Sequence, residues 1–367
     1  MTTGMQVRLT ESRERLPLGR DEWNALVARN PTNTAFQTFE WFDTWWAAFG
    51  SRHRLHLLTV HDGPQVIGIA PLMRVREPLG LRQLELVGMP NADYLDLIAP
   101  VRREEVLPAL CRFLHAERAS WDMIVLRNLP ERSPTAGEFG AHFRSLGLGV
   151  MDRERQPCPV VLLHGQGAAT QRILERYSFR RRVRRLEQRG PVRFRVLDSP
   201  EEIDAALPAF FEQHVQRWEA TSDPSPFTDP AFRAWYRALA QAAQAAGWLH
   251  FSVLECGSRP AAFHFGFRYG GTLSWYKPSF DWEFHRESPG TVLIMHLIQD
   301  AQTRGLAELD FSSGLEPFKL RYANSQSFNL NLRVFARPLL YRVFVTGEFW
   351  RAVARRGWHW LRPRPRQ

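Results

Sequence analysis

Asp310, Glu316, Lys319 and Arg321 stand close together in a stretch, residues 306–322, that reads LAELDFSSGLEPFKLRY. An apolar strand is expected to end on Asp310. The chain then turns through Ser312, Ser313 and Gly314 and restarts at Glu316-Pro317 with Phe318, Lys319 and Arg321. Carboxylates and cations therefore gather at one strand-to-helix turn, and loops held by a rigid strand are where chemistry commonly sits. A carboxylate there can accept a proton, and partial burial at the end of an apolar strand would raise the pKa of Asp310 and favour it for that task. Lys319 or Arg321 can hold a phosphate or a carboxylate. The same residues can equally form a structural ion network, with Asp310 as a turn cap.

The elements that must position this turn are announced by an internal repeat. Residues 55–75, LHLLTVHDGPQVIGIAPLMRV, align with residues 249–269, LHFSVLECGSRPAAFHFGFRY. Both read as β-hairpins: an apolar strand, a turn with glycine, then a second alternating strand. The first is followed by expected strands near 82–88 and 93–99, a helix over 102–119 and a strand over 122–127. The second is followed by a strand over 272–276, a helix over 288–304 and a strand over 307–311. Helices between strands predict a mixed α/β sheet in each half, and the shared order predicts a duplication.

Between the halves, residues 168–189 carry Ile173, Leu174, Tyr177, Val183 and Leu186 at helical spacing. This helix holds the densest basic run, Arg180-Arg181-Arg182-Val183-Arg184-Arg185, and Gly190-Pro191 stops it. A strand over 192–197 leads to a helix over 200–220, capped by Ser199 with Pro200 next. Pro224-Ser225-Pro226 forms a loop, and Asp229-Pro230 opens a helix reaching Gly247. Near the N-terminus a short helix over 23–29 precedes Phe36, Phe39, Trp41, Phe42, Trp45 and Trp46, whose helical spacing points to core rather than a ligand groove. The expected organisation is an N-terminal domain over 1–165, a basic connecting helix over 166–190, a C-terminal domain over 191–337 with the active cleft, and a basic aromatic tail over 338–367. The tail mixes Leu339, Tyr341, Phe344, Phe349, Trp350, Trp358 and Trp360 with arginines. It either lies on an anionic membrane surface or packs back on the domain, and 362–367 is expected to be disordered.

A length of 367 residues, 44% hydrophobic and 23% charged, suits a globular protein of two ordinary domains. No window approaches the ~18–20 apolar residues of a membrane span, and no secretory signal is expected. A cytoplasmic protein, at most peripheral at the inner face of the membrane, is the expectation. The net charge of +10, mostly from arginine, favours nucleic acid, phosphorylated cofactors or an anionic membrane as partners. Cys111, Cys158 and Cys256 read as reduced thiols, and the scattered histidines lack metal-ligand spacing, so no metal is expected.

Two tandem α/β halves, a basic helix between them, and Asp310-Phe311-x-x-Gly314-x-Glu316-Pro317-Phe318-Lys319-x-Arg321 resemble the GNAT-fold acyltransferases of the FemAB-like superfamily. The resemblance is strongest to the bacterial branch of GNAT N-acetyltransferases and cellulose-biosynthesis-linked proteins. Phe36-Gln37-Thr38-x-Glu40-Trp41, Asp93-Tyr94-x-Asp96 and residues 180–186 add to it, and it spans roughly residues 20–335. It implies two tandem GNAT-like domains that transfer an acyl group from a thioester or aminoacyl donor to an amine. It also implies that a splayed gap between two central strands takes the pantetheine arm of acyl-CoA. The pyrophosphate would rest on the amides opening the next helix, which are unsatisfied and partly positive. Here that helix starts at Arg286-Glu287-Ser288-Pro289-Gly290-Thr291, so Arg286, Ser288, Gly290 and Thr291 are the expected donor contacts. Ser288 would cap the helix, Pro289 suits its first position, and Gly290 lets a phosphate approach; an ordinary capped helix is the alternative.

Acyl transfer needs an uncharged amine, and a free amine of pKa ~10 is mostly protonated at neutral pH. Asp310 and Glu316 are the candidate proton acceptors, and Lys319 or Arg321 can hold charge on the acyl oxygen, with Lys319 taken as the catalytic candidate. Tyr276, Lys277, Arg321 and Tyr322 are the expected substrate contacts. Phe318 stands where the family often has a tyrosine that protonates the leaving thiolate, which leaves Tyr276 or Tyr322 for that part. His264 reads as a core histidine. Asp93 and Asp96 fall in the corresponding region of the first half, where scaffolding is expected. The resemblance thus points to acyl-CoA as donor and a small-molecule, sugar or cell-envelope precursor amine as acceptor. One rival keeps the fold but uses aminoacyl-tRNA, held by the arginine helix, to modify a peptidoglycan-type precursor. Another is a non-enzymatic basic protein on nucleic acid or a membrane surface, although DNA is not an expected partner.

Overall fold

The computed structural model describes residues 5–76, 80–165, 167–175, 177–219 and 224–347. From the N-terminus, β1 (Gln6–Thr10), α1 (Arg20–Ala28) and α2 (Phe39–Phe49) precede the first hairpin, β2 (Arg54–Asp62) and β3 (Gln65–Arg76). Then come β4 (Arg82–Leu86), α3 (Arg103–Ala116), β5 (Met123–Pro130), α4 (Thr135–Ser145) and the long β6 (Gly149–Leu162). Two short helices, α5 (Gly167–Leu174) and α6 (Tyr177–Glu187), lead to β7 (Val192–Val196), α7 (Pro200–Trp218) and α8 (Pro230–Ala245). The second hairpin is β8 (Leu249–Cys256) and β9 (Arg259–Tyr269), followed by β10 (Thr272–Phe280), α9 (Pro289–Thr303), β11 (Glu308–Asp310) and β12 (Ser325–Phe335).

The two repeated segments are the two hairpins, and each turns on a glycine with positive φ, Gly63 at 59° and Gly257 at 62°, where an L side chain would be strained. The caps read from sequence also form. Ser199 Oγ accepts from the Glu202 amide at 3.1 Å, and Asp229 Oδ1 accepts from the Ala231 amide at 2.8 Å.

All strands join one twelve-stranded sheet in the order β1-β2-β3-β4-β5-β12-β6-β11-β10-β9-β8-β7. Each half contributes an antiparallel hairpin and a parallel pair, β4 with β5 and β10 with β11. The halves then exchange their last strands. β6 from the first half pairs with β11, and β12 from the second lies between β5 and β6. Phe265 and Phe267 face a core with α2, α7 and α8, whereas Leu273 and Leu309 face a second core with α6 and α9.

Two expectations change. Residues 168–189 are not one helix but α5 and α6, which bury Ile173 and Leu174, and Phe179 and Leu186, respectively. Residues 93–99 are not a strand; only Ile98 bridges to Ile69. Short polar side chains take over the backbone there, as such residues do when they compete with a ladder. Asn329 Nδ2 donates to the Asp93 carbonyl at 2.9 Å, and the Ala99 amide donates to Asn30 Oδ1 at 3.0 Å. Buried Asp96 accepts from the Leu97 amide at 2.7 Å, Ser133 Oγ at 2.6 Å, and the Thr32 and Thr135 hydroxyls at 2.5 Å each. Replacing Asp96 by alanine strands these donors in the interior and should lower unfolding free energy by about 2–3 kcal/mol, measured by urea denaturation.

Beyond β12, residues 338–347 are helical and pack back, with Leu340, Tyr341 and Phe344 against Met123, Val125 and Phe335. Leu339 and Val343 remain exposed. Phe349, Trp350, Trp358, Trp360 and the end at 362–367 lie outside the described residues. Among the described residues no helix is long and apolar enough to cross a membrane.

Candidate active site

The parallel pairing of β10 with β11 runs only from Thr272↔Glu308 to Ser274↔Asp310. β11 ends there, while β10 continues to Phe280 and bulges, its register against β9 shifting between Ser274 and Lys277. The two strands therefore part just beyond Asp310. The bulge is seated from below. His264 Nε2 lies 3.1 Å from the Ser274 carbonyl oxygen, its ring stacks on Trp275 at 5.1 Å, and a Cβ on Gly266 would come within 2.3 Å of the same oxygen. His264 is thus the core histidine its alternating strand suggests.

Asp310, 8% exposed, accepts the Ser312 amide on Oδ1 at 2.7 Å. Burial pushes its carboxyl up to about 6, against the pull of the Tyr94 hydroxyl and the Ser312 amide. Tyr94 comes from the irregular segment of the first half. Its buried hydroxyl sits beside Asp310 and Cys158 without being aligned for a bond with either. The Cys158 thiol is pushed up to about 12 by burial, which leaves it a small buried hydrophobe rather than a nucleophile.

Asp93 enters from the same segment, half-buried, and faces Lys277, Ser312 and Lys319. Burial raises the Asp93 carboxyl and lowers the Lys277 ammonium, and each charge partly restrains the shift of the other. Lys277 Nζ lies 4.8 Å over the Tyr276 ring. Lys319 is buried, its Nζ donating to the Ser313 carbonyl at 2.7 Å and pairing with Glu316 at 3.0 Å. Next to this cluster a cavity of about 260 Å³ is lined by Tyr94, Ser274, Glu308 and Asp310 from below and by Glu131 and Arg132 from the first half.

Asp310, Lys319, Tyr276 and Lys277 are therefore brought to one place. Tyr276 already has work for its hydroxyl, which donates to the Asn91 carbonyl at 2.8 Å and accepts from Tyr236 at 3.1 Å, tying the halves together. Glu316 is exposed at the flank and meets the cluster only through Lys319. Arg321 is exposed on the following turn, whereas Tyr322 is buried in the core, stacked on Phe179 at 5.2 Å. At the start of α9, Ser288 holds the N-cap position without capping; its φ of 59° is left-handed, not the extended backbone from which a cap hydroxyl reaches back. The Thr291 amide is taken by the Ser288 carbonyl at 2.9 Å. Gly290 has open space around it, the nearest atom being Phe280 Cδ1 at 3.9 Å, and Arg286 is exposed. Gly290 and Arg286 thus lie at the opening of α9, where helix amides can meet an anion.

Asp93, Tyr94 and Asn329, whose buried Oδ1 has no partner among the described residues, lie beside these groups and were not expected there. The Asp93-Tyr94 signal was present but belonged, by position, to the other half.

Residues 175–320 match the family model of an acetyltransferase (GNAT) domain. The chain carries a GNAT-type acetyltransferase domain. This GNAT domain contains Tyr276, Lys277, Asp310 and Lys319, but not Asp93, Tyr94 or Asn329. Over most of its length the fold is similar to that of FemX, which matches with a TM-score of 0.62 at 11% identity, covering 85% of this chain and 96% of that one. The C-terminal domain of a protein described as a lysylphosphatidylglycerol synthetase from Agrobacterium fabrum matches with a TM-score of 0.53 at 11% identity, over 88% and 96% of the two chains. L-PGS from Bacillus licheniformis matches with a TM-score of 0.52 at 13% identity, over 89% and 94%. At these identities the likeness is one of fold. No curated protein matches the chain by sequence.

Proposed function

We propose that this GNAT protein moves an acyl group from acyl-CoA onto the amine of a small molecule, a sugar or a cell-envelope precursor, with the second half (191–337) supplying the chemistry and the first (1–165) closing the site across the 166–190 linker. The observation that carries this reading is Asp310, a buried carboxyl with a pKa of about 6, placed where β10 and β11 part and beside a cavity. Asp310 takes the ammonium proton of the acceptor, and a carboxyl lifted toward neutrality is a better base than an ordinary one. The freed amine forms the new C–N bond to the acyl carbon as the C–S bond breaks, and the second proton that the nitrogen sheds goes to the departing thiolate, giving the amide and the free thiol. Lys277, at the bulge of β10 beside the gap, is the cation for the charge that develops on the acyl oxygen, with Asp93 facing it. Lys319, bonded to Ser313 and Glu316, holds the turn that carries Asp310.

A second reading, aminoacyl-tRNA as donor, is favoured by the exposed arginines 180, 181, 184 and 185 on α6. Native mass spectrometry with a panel of acyl-CoAs and charged tRNAs separates the two. Acyl-CoA adducts that survive rising salt are expected. Binding of charged tRNA alone, collapsing steeply with salt, would replace the acyl-CoA reading, and binding of neither would remove both.

A further inference from the structure

Far from Asp310, at the opposite ends of β3 and β4, the sheet assembles an unusual concentration of one charge. Arg54 stands directly opposite Arg74 on the β2–β3 ladder, and Arg76 directly opposite Arg82 on the β3–β4 ladder. Arg74 and Arg76 are two residues apart on one strand, so the alternation of strand side chains puts these guanidinium groups on one face. With Arg52 and His53 they line a groove of about 600 Å³, and among the described residues that line it there is no carboxylate.

Two carboxylates lie behind it. Asp122 binds Arg82 at 2.9 and 3.1 Å, and Glu117 sits near Arg74, 3.4 Å from His56. Arg74 also donates to the Ser120 carbonyl and hydroxyl. Arg54 and Arg76 remain exposed at the rim. Like charges directly opposite on a ladder destabilise a sheet; Asp122 offsets this for Arg82, and the repulsion left between the remaining guanidinium groups is what a bound anion would relieve.

We propose that this groove binds a compact small-molecule anion carrying two or more phosphate groups, such as a diphosphate ester. The planar fork of arginine matches phosphate oxygens in pairs, and several forks converging on one concavity fit adjacent phosphates. Nucleic acid would need stacking platforms, and the groove's tryptophan, Trp121, is fully buried. A membrane would need a flat or protruding face, and this one is concave.

The test is titration calorimetry of the full chain with inorganic pyrophosphate, beside the double variant Arg54→Gln/Arg76→Gln and a control, Arg184→Gln/Arg185→Gln on α6. The wild type and the α6 control should bind alike, and the groove variant about tenfold more weakly or worse. Without ligand the groove variant should melt no lower than wild type, since like charges have been removed; this keeps loss of binding distinct from loss of fold. No heat with pyrophosphate, equal affinity in the groove variant, or loss of binding confined to the α6 variant each overturns the proposal. So does binding only to single-stranded RNA or to phosphatidylglycerol vesicles.

Discussion

Replacing Asp310 by asparagine is expected to lower the rate of acyl transfer about 10²- to 10⁴-fold, the usual worth of a positioned base, while making the protein more stable at neutral pH. Both effects have one cause. An unfolded aspartate ionises near pH ~4, whereas the folded carboxyl holds its proton to about 6 because burial disfavours the charge. Between these values the folded state binds more protons than the unfolded, so stability falls as pH rises through that window. At pH 7 the loss is on the order of 2–3 kcal/mol. Asparagine keeps the oxygen that accepts the Ser312 amide but carries no charge to desolvate. The variant should therefore melt higher than wild type at pH 7.5 and about equally at pH 4. In the wild type, transfer activity should rise with pH through about 6. Transfer at the wild-type rate by the variant would show that the proton goes elsewhere.

Trp41→Ala should lower unfolding free energy by about 3–5 kcal/mol, the range for a fully buried aromatic. Trp41 is 1% exposed. Its ring meets Phe36 at 4.8 Å within its own half, and Trp235, Phe267 and Tyr276 of the other half at 5.5, 5.9 and 5.9 Å. Its indole nitrogen would lie 2.8 Å from a Cβ at Gly88, so the backbone already closes on it and cannot fill the space it would leave. Because the lost contacts join the two halves, the denaturation curve should also broaden as they melt less cooperatively. A loss below about 1 kcal/mol, well short of the usual range for such a truncation, would mean that the halves are held by the sheet alone.

What could be read from the sequence was what is written locally. The hairpins declared themselves through alternation and a turn glycine, α7 and α8 through Ser199 and Asp229, and the aromatic cluster through the helical spacing that places Phe36, Trp41, Phe42 and Trp45 in the core. Asp310 was recognisable as a carboxylate ending an apolar strand. The exchange of β6 and β12 was not legible, because pairs such as Val160 with Ser325 are remote in the chain and no local period records them. The same remoteness hid Asp93. Asp93 and Asp96 look alike in sequence, yet one faces two lysines of the other half and the other is consumed by hydroxyls. Their difference lies in what surrounds an irregular loop, which residue type and spacing do not encode.

The crossed strands at the centre of the sheet bear on how such a protein can change over time. β12 is required by the first half and β6 by the second, so neither copy of the repeat can be deleted, traded or fused elsewhere as a module. The two repeated halves are thus bound to a common fate. A change in the first half that moved Asp93 or Tyr94 would alter the surroundings of Lys277 and Asp310 in the second.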